Sequence, residues 1–367
     1  MKRFSVKRLV LAGLLLCVAC AAVVSRDNEI DGNHNQDKPH HTPAGFRNNY
    51  VSGLNNEGGN FWKWQWQRFV AGVPKPPKNR YRFPAVKPDL ARLQANRSET
   101  TATWIGHATV LIQLAGVNIL TDPHLTERAS PVSFAGPKRF VPPALTFDEL
   151  PHIDMVVISH NHYDHLDLTT VQRLAQQRGG SPRYFVPLGN KAWFAEQGIS
   201  DVVEMDWWDR QSFRGLEVTF TPVQHWSARG LTDRFQTLWG GWHVRMAGGA
   251  IGTPPFSFFF AGDTGYSKDF ADIAGRLGAV DFAMIPIGAY EPRWFMGPQH
   301  VDPAESVKIH HDLKARTSLG IHWGTFELTD EPLDEPPERL AVELVKANIS
   351  PGRFRVLRHG ETIDPQK

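Results

Sequence analysis

Short apolar runs punctuate this chain at wide intervals. Ile153 to Ile158, Phe256 to Ala261 and Ser318 to Ile321 are three of them, and Val218 to Val223 is a fourth stretch rich in strand-forming residues. Runs of this length, bounded by Gly, Pro and polar residues, read as buried β-strands. Thr103 to Leu114 and Val117 to Thr121 read as paired strands around the turn Ala115-Gly116. Tyr184 to Val186, Leu238 to Val244 and Asp281 to Ile287 add three more strands. Helical spacing covers Leu168 to Gln177, which Gly179-Gly180 ends, and also Asn190 to Gln197 and Pro337 to Ala347. A further helix from Pro303 to Leu313 opens on a proline, suited to a first turn that has no hydrogen bond to lose. Strands fall into two groups, each followed by helices, and most should pair in antiparallel or mixed fashion.

The polar residues that end these runs carry the chemistry. His160-Asn161-His162-Tyr163-Asp164-His165 follows the run ending at Ile158, with three imidazoles and a carboxylate in six residues. Imidazole and carboxylate are the ligands that zinc, iron and manganese accept. His225 follows Val218 to Val223, Asp263 lies in the turn Gly262-Asp263-Thr264-Gly265, and His322 closes Ser318 to Ile321. Each alone fits a structural turn. Together, at the ends of strands, they are placed to converge on one sheet edge.

This set resembles the metallo-β-lactamase superfamily, whose signature is H-x-H-x-D-H followed by a distant His, an Asp and a final His. The resemblance narrows through Ile158 to Asp167, Gly136-Pro137-Lys138-Arg139-Phe140, Asp206-Trp207-Trp208 and Phe258 to Tyr266. It continues through Ile285 to Met296, Gln299-His300-Val301-Asp302-Pro303 and Ile321 to Phe326. Those blocks, spread over roughly residues 100 to 360, look like a bacterial member of the N-acylphosphatidylethanolamine-hydrolysing phospholipases D. The resemblance implies an αββα sandwich of two mixed sheets flanked by helices. It also implies two zinc ions per chain, one held by His160, His162 and His225, the other by Asp164, His165 and His322, with Asp263 bridging both. A water between two such ions about 3.5–4 Å apart would be the nucleophile. The substrate would be an N-acylphosphatidylethanolamine in a membrane surface, split into phosphatidic acid and an N-acylethanolamine. His300 would then help the leaving alkoxide, while Tyr163 and Gln299 would orient the phosphate. Asp122, ending a strand, is placed to accept the free N–H of a ligand imidazole, and His107 reads as structural or supporting. Another hydrolase on this scaffold, for a lactone or small phosphodiester, is the main alternative; a lipid-binding lipoprotein without activity is a weaker one.

Composition changes the picture mainly at the N-terminus. Lys2, Arg3, Lys7 and Arg8 precede the apolar stretch Leu9 to Val18, the layout of a signal peptide over residues 1–19. Val18-Ala19-Cys20 resembles the end of a lipoprotein signal, which makes Cys20 the lipidated residue of an exported, membrane-anchored bacterial protein. Removing residues 1–19 takes the basic count from 40 to 36 against 38 acidic residues, and the formal charge from +2 to −2. Nothing in that balance suggests a nucleic-acid footprint. Cys17 and Cys20 are the only cysteines, so a metal site must be built from His and Asp. Residues 20–60 read as a flexible tether in which His34, His40 and His41 are solvated, with weak metal binding as the other reading. Phe61 to Phe69 places three tryptophans among Lys, Gln and Arg; they read as a cover over one face of the domain, with a lipid interface as the other possibility. Pro74-Lys75-Pro76-Pro77 reads as a stiff connector, and the hydrolase domain runs from 61 to 367. Oligomeric state is not legible.

Overall fold

The computed structural model describes residues 35, 37–51, 57–72, 81–247 and 255–367. The expected signal peptide with Cys20, His34, the expected connector Pro74 to Pro77 and the stretch 248–254 lie outside them.

Among the described residues two seven-stranded sheets form the centre of the molecule. The first is ordered β16-β3-β4-β5-β6-β7-β8, from Thr362–Ile363, Thr101–Gly106, Thr109–Leu114, Val117–Thr121, Met155–Val157, Arg183–Pro187 and Val202–Met205. The second is ordered β15-β14-β13-β12-β11-β10-β9. Its strands are Phe354–Arg355, Thr317–Ile321, Phe282–Pro286, Phe256–Phe260, Gly241–Met246, Leu216–Thr221 and Arg210–Phe213. Each sheet is antiparallel on one side and parallel on the other: β5, β6, β7 and β8 run parallel, as do β12, β13, β14 and β15. This is the αββα sandwich of mixed sheets that the sequence implied.

Alternate residues of each inner strand enter different cores. On β6, Met155 and Val157 face the layer between the sheets, while Val156 packs with Val171, Leu174 and Phe194. Those last three belong to α3 (Leu168–Ala175) and α4 (Lys191–Glu196), which cover the outer face of the first sheet. A strand buried on both faces has no polar side to show, hence its continuous apolar run. Between the sheets lie Phe220, Trp242, Phe258 and Phe260, all fully buried. The Trp242 indole N–H reaches across to donate to the Ile158 carbonyl at 2.8 Å, tying the second sheet to the strand end that launches the histidine motif. Helices α5 (Asp269–Leu277) and α7 (Pro303–Asp312) flank the second sheet, and α7 carries a full capping box between Asp302 and Glu305.

Several boundaries differ from the sequence expectation. The strand expected from Leu238 begins at Gly241, because Leu238 and Gly240 spend their N–H groups on Leu188 and Ser159. Helix α8 (Glu335–Lys346) starts two residues early, since prolines 336 and 337 are compatible with a first turn. Strands β8 and β9 and helices α2 (Leu90–Ala95) and α5 were not anticipated. Residues 37–51 also depart from the expected flexible tether. They form a small hairpin, β1 (His41–Thr42) with β2 (Gly45–Phe46), which lays Phe46 into the main core. His40 and His41 are buried, not solvated. Helix α1 (Glu57–Ala71) buries only Trp64 of its three tryptophans; Trp62 and Trp66 are 61% and 65% exposed. The aromatic segment thus covers the domain through one ring and presents the others outward. No described helix is long and apolar enough to cross a membrane.

Candidate metal centre

The site lies where β5, β6, β10, β12 and β14 end, so loops from both sheets meet at one edge of the sandwich. Parallel strands deliver their C-terminal ends to the same side, and that is why residues distant in sequence gather there. Gly262, at φ +62°, makes the turn after β12 possible: a Cβ there would lie 2.4 Å from the Ser159 Cβ. A side chain would hold the Asp263 loop away from the histidine loop.

Two nests of side chains result. In the first, His160 Nε2 and His162 Nδ1 are 2.8 Å apart, and His225 Nε2 is 3.3 Å from the same His162 nitrogen. In the second, the Nε2 atoms of His165 and His322 are 3.2 Å apart, and Asp164 Oδ2 is 3.3 Å from each. Asp263 stands between them. Its Oδ1 is 3.1 Å from His322, while Oδ2 is 3.1 Å from His165 and 4.0 Å from both His160 and His225. The seven residues singled out as metal ligands are therefore brought together.

Imidazole nitrogens gathered tip to tip, where only one of each facing pair can carry the proton, are a poor hydrogen-bonding arrangement and a good chelating one. His162 Nε2 is buried without a hydrogen-bond partner, and Asp263 Oδ1 meets the His322 ring at 3.1 Å. Burial alone would raise Asp164 and Asp263, yet His165 and its neighbours hold both carboxyls well below the usual range. Burial opposes charge on His322 too, but Asp263 and Asp164 raise it to about 9. The pocket collects positive charge as protons on imidazole, the role a divalent cation takes over when it displaces those protons. The donor set fits a metal.

The supporting contacts are equally specific. Asp122 Oδ2 accepts the Nδ1–H of His165 at 2.6 Å, and both its oxygens accept from Ser159. His165 thereby presents Nε2 to the site. The Gln299 carbonyl accepts Nδ1–H of His225 at 2.9 Å and does the same for that ring. Here the Gln299 expectation needs correcting. Its side-chain amide is buried and turned toward the Phe295 carbonyl at 3.4 Å, so it is the main chain that serves the site. Tyr163 is corrected likewise, because its hydroxyl donates to the Arg229 carbonyl. Arg229 in turn lies over the Tyr163 ring and donates to the carbonyls of Asn161 and Leu166, bracing the motif loop. His107 Nε2 sits 2.9 Å from Asp164 Oδ2, a supporting contact. His300 leans over the centre with Nδ1 unpartnered, 3.8 Å from Asp263 Oδ2. Burial pushes its pKa down to about 4 against the pull of Asp263.

His107, Asp122 and His322 all have positive φ, at 54°, 31° and 62°. Non-glycine residues held there cost about 1–3 kcal/mol each and cluster at functional sites. No motif announces this, nor the roles of Ser159, Arg229 and the Gln299 carbonyl.

A family model described as Beta-lactamase superfamily domain matches residues 117–323, more than half of the chain and nearly all of the site. The chain belongs to the metallo-β-lactamase superfamily. Within it, this metal-dependent hydrolase is similar to N-acyl-phosphatidylethanolamine-hydrolyzing phospholipase D 1 of Caenorhabditis elegans, 46% identical over 250 residues, 65% of this chain and 68% of the relative. A mitochondrial enzyme of the same name in Saccharomyces cerevisiae is 37% identical over 244 residues, 65% of this chain and 50% of the relative. Among solved structures, an isothiocyanate hydrolase from Delia radicum gut bacteria aligns with a TM-score of 0.56 at 21% identity, over 72% of this chain and 98% of that one. That last likeness shows the fold alone.

The charge balance gives a testable pH profile for the metal-stripped protein. His322, raised to about 9, contributes stability that is complete below the ordinary histidine value of 6.5 and lost as pH climbs through 9. His162 and His300, held down to about 3 and about 4 by burial, act on the other side. Below 6.5 the unfolded chain takes up protons that the folded chain refuses. Urea midpoints in chelator should therefore peak around pH 6.5 and fall in both directions. Added metal should remove the alkaline decline. A midpoint unchanged from there to pH 9 in chelator would contradict the proton-loaded site.

Proposed function

We propose that the chain is a binuclear zinc phosphodiesterase of phospholipase D type, which hydrolyses N-acylphosphatidylethanolamine to phosphatidic acid and an N-acylethanolamine. What carries the reading is Asp263, which stands between the nests, with Oδ1 3.1 Å from His322 and Oδ2 3.1 Å from His165 and 4.0 Å from His160 and His225, in a chain 46% identical to a phospholipase of that name. His160, His162 and His225 would hold one ion, Asp164, His165 and His322 the other, with Asp263 shared. Such ions lower the pKa of water held between them and draw off the charge that builds on phosphoryl oxygens.

The chain's own residues do the rest. Asp122 and the Gln299 carbonyl keep His165 and His225 in single tautomers. His300 Nδ1, neutral near pH 7 and unpartnered, is positioned to take a proton from the attacking water and return it to the departing ethanolamine oxygen. Arg293 fixes that loop by donating to the His300 carbonyl at 2.8 Å and to Glu305 at 2.7 Å. A cavity of about 950 Å³ beside the motif loop, lined in part by Tyr163, Leu166, Trp193 and Val132, offers room for part of a large amphiphile.

Hydrolysis in oxygen-18 water decides the bond. Label should enter phosphatidic acid and leave the N-acylethanolamine unlabelled. Label in the amide product, or release of free fatty acid, would point to a different reaction; turnover of a lactone or small phosphodiester alone would favour the alternative hydrolase.

A phospholipid substrate would put the enzyme at a membrane surface. Helix α1 supports this, because Trp62, Trp66 and Phe69 follow one another at helical spacing and all are more than 60% exposed. The helix is fixed beside the site: Trp64 packs 5.3 Å from Phe295 and donates to Asp330, and Phe295 lies in α6 (Arg293–Met296) just before His300. Trp62→Ser with Trp66→Ser should lower activity on phospholipid vesicles while sparing detergent-dispersed substrate. An equal loss in both would assign α1 to structure. Export and anchoring through Cys20 complete the proposal, and a fatty-acid analogue that fails to label the maturing protein would remove the anchor.

A further inference from the structure

His225 reaches the first nest from an irregular stretch, four residues past the end of β10. Buried main-chain groups outside a ladder still need partners. One side chain supplies both. Asn48 Oδ1 accepts the His225 N–H at 3.0 Å, and Asn48 Nδ2 donates to the His225 carbonyl at 2.8 Å. The Trp239 indole N–H, 3.1 Å from the same Oδ1, locks the amide in this orientation. Asn48 is itself buried and mimics the edge of a missing strand.

The mount of Asn48 is built with matching care. Asp206 Oδ1 meets His40 Nε2 at 2.6 Å, while Asp206 Oδ2 meets His41 Nε2 at 2.8 Å and Lys38 Nζ at 2.6 Å. The grouping of two histidines and a carboxylate resembles a metal site, but the hydrogen bonds say otherwise. His41 Nδ1 accepts the Asn35 N–H at 3.0 Å, so the ring proton sits on Nε2 and points at Asp206. His40 stacks on Trp207 with centroids 4.4 Å apart. Phe46 N–H donates to the Phe235 carbonyl at 2.8 Å, and Asn49 donates to Asp269 at the other end. Residues 38–49 are thus pinned on both sides of Asn48.

We propose that Asn48 is a positioning residue of the metal centre, which fixes the His225 main chain so that Nε2 stays in register with His160 and His162. The inference rests on the reading of His225 as a ligand. Fastened at N–H and C=O by Asn48 and at Nδ1 by the Gln299 carbonyl, His225 is held at three points. Loss of the first two leaves the ring to swing about the third.

The test uses the full chain, with zinc affinity measured by chelator competition and cobalt(II) absorption as a report on coordination, far below the unfolding temperature. Asn48→Ala should weaken the first site, to which His225 belongs, by about 10–100-fold, the usual cost of removing a group that orients a ligand. The cobalt spectrum should change while the second site keeps its ion. Asn48→Asp retains the acceptor for the N–H but sets a carboxylate against the carbonyl, so a smaller loss in the same site is expected; it also serves if Asn48→Ala fails to fold. Tyr50→Phe, on the exposed end of the strap, should change neither. Unaltered affinity and spectrum in folded Asn48 variants would overturn the proposal. So would equal loss at both sites that tracks a lowered Tm, which marks a merely structural role. His225→Ala separates the two levels: if it leaves metal binding intact, the ligand reading itself has failed; if it lowers binding and Asn48→Ala does not, only the positioning role has.

Discussion

Asp263→Asn should leave a folded protein that has lost most of its activity and much of the metal in one nest. The substitution keeps the shape but removes the charge that faces His165 and His322 at 3.1 Å each. Groups that merely orient a metal ligand cost about 10–100-fold when removed. A carboxylate shared between two ions should cost more than that. Metal analysis of the wild type should give two ions per chain, and one ion or none would falsify the binuclear reading. His107→Ala offers the contrast. It removes a hydrogen bond to Asp164 and no part of the shared carboxylate, so both ions should remain, with weaker retention in the second nest.

The second large effect is expected at His300. His300→Gln preserves volume and a polar end but cannot carry a proton near neutral pH. A loss of about 10²–10⁴-fold in kcat follows from the usual contribution of a general acid or base. Metal content should not change if His300 acts on protons and not as a ligand, although its Nδ1 lies 3.8 Å from Asp263 Oδ2 and it clusters with His225 and Asp263. The distinction matters because a ligand variant would lower both. A His300→Gln enzyme as fast as the wild type across the pH range would take this residue out of the mechanism.

The fold and the metal nests were legible for one physical reason. Strands buried on both faces must be apolar throughout, so each ends abruptly, and a His or Asp at that boundary stands out against its run. His160, His225, Asp263 and His322 were all visible this way, and their place at strand ends made convergence on one sheet edge a reasonable expectation. Charge followed the same logic, since a chain whose only cysteines are Cys17 and Cys20 must build its site from imidazole and carboxylate.

What escaped the sequence has no periodicity to betray it. The Gln299 carbonyl looks like any other carbonyl until the loop folds over His225, and the side chain that carried the motif turns inward instead. Tyr163 has a hydroxyl suited to phosphate, yet the approach of Arg229 commits it to the main chain. Residues 37–51 are polar enough to read as solvated, but two histidines and a lysine around Asp206 replace their water, and the single ring of Phe46 finds the core. Of three tryptophans in α1 only Trp64 has a wall to pack on, which depends on where α6 lies and not on the helix itself. Local order along the chain thus determined which strands are buried and which residues end them. Contacts across dozens or hundreds of residues decided which donors face the metal nests and which main-chain groups hold them there, because a hydrogen bond between loops depends on the meeting of two surfaces that neither segment encodes alone.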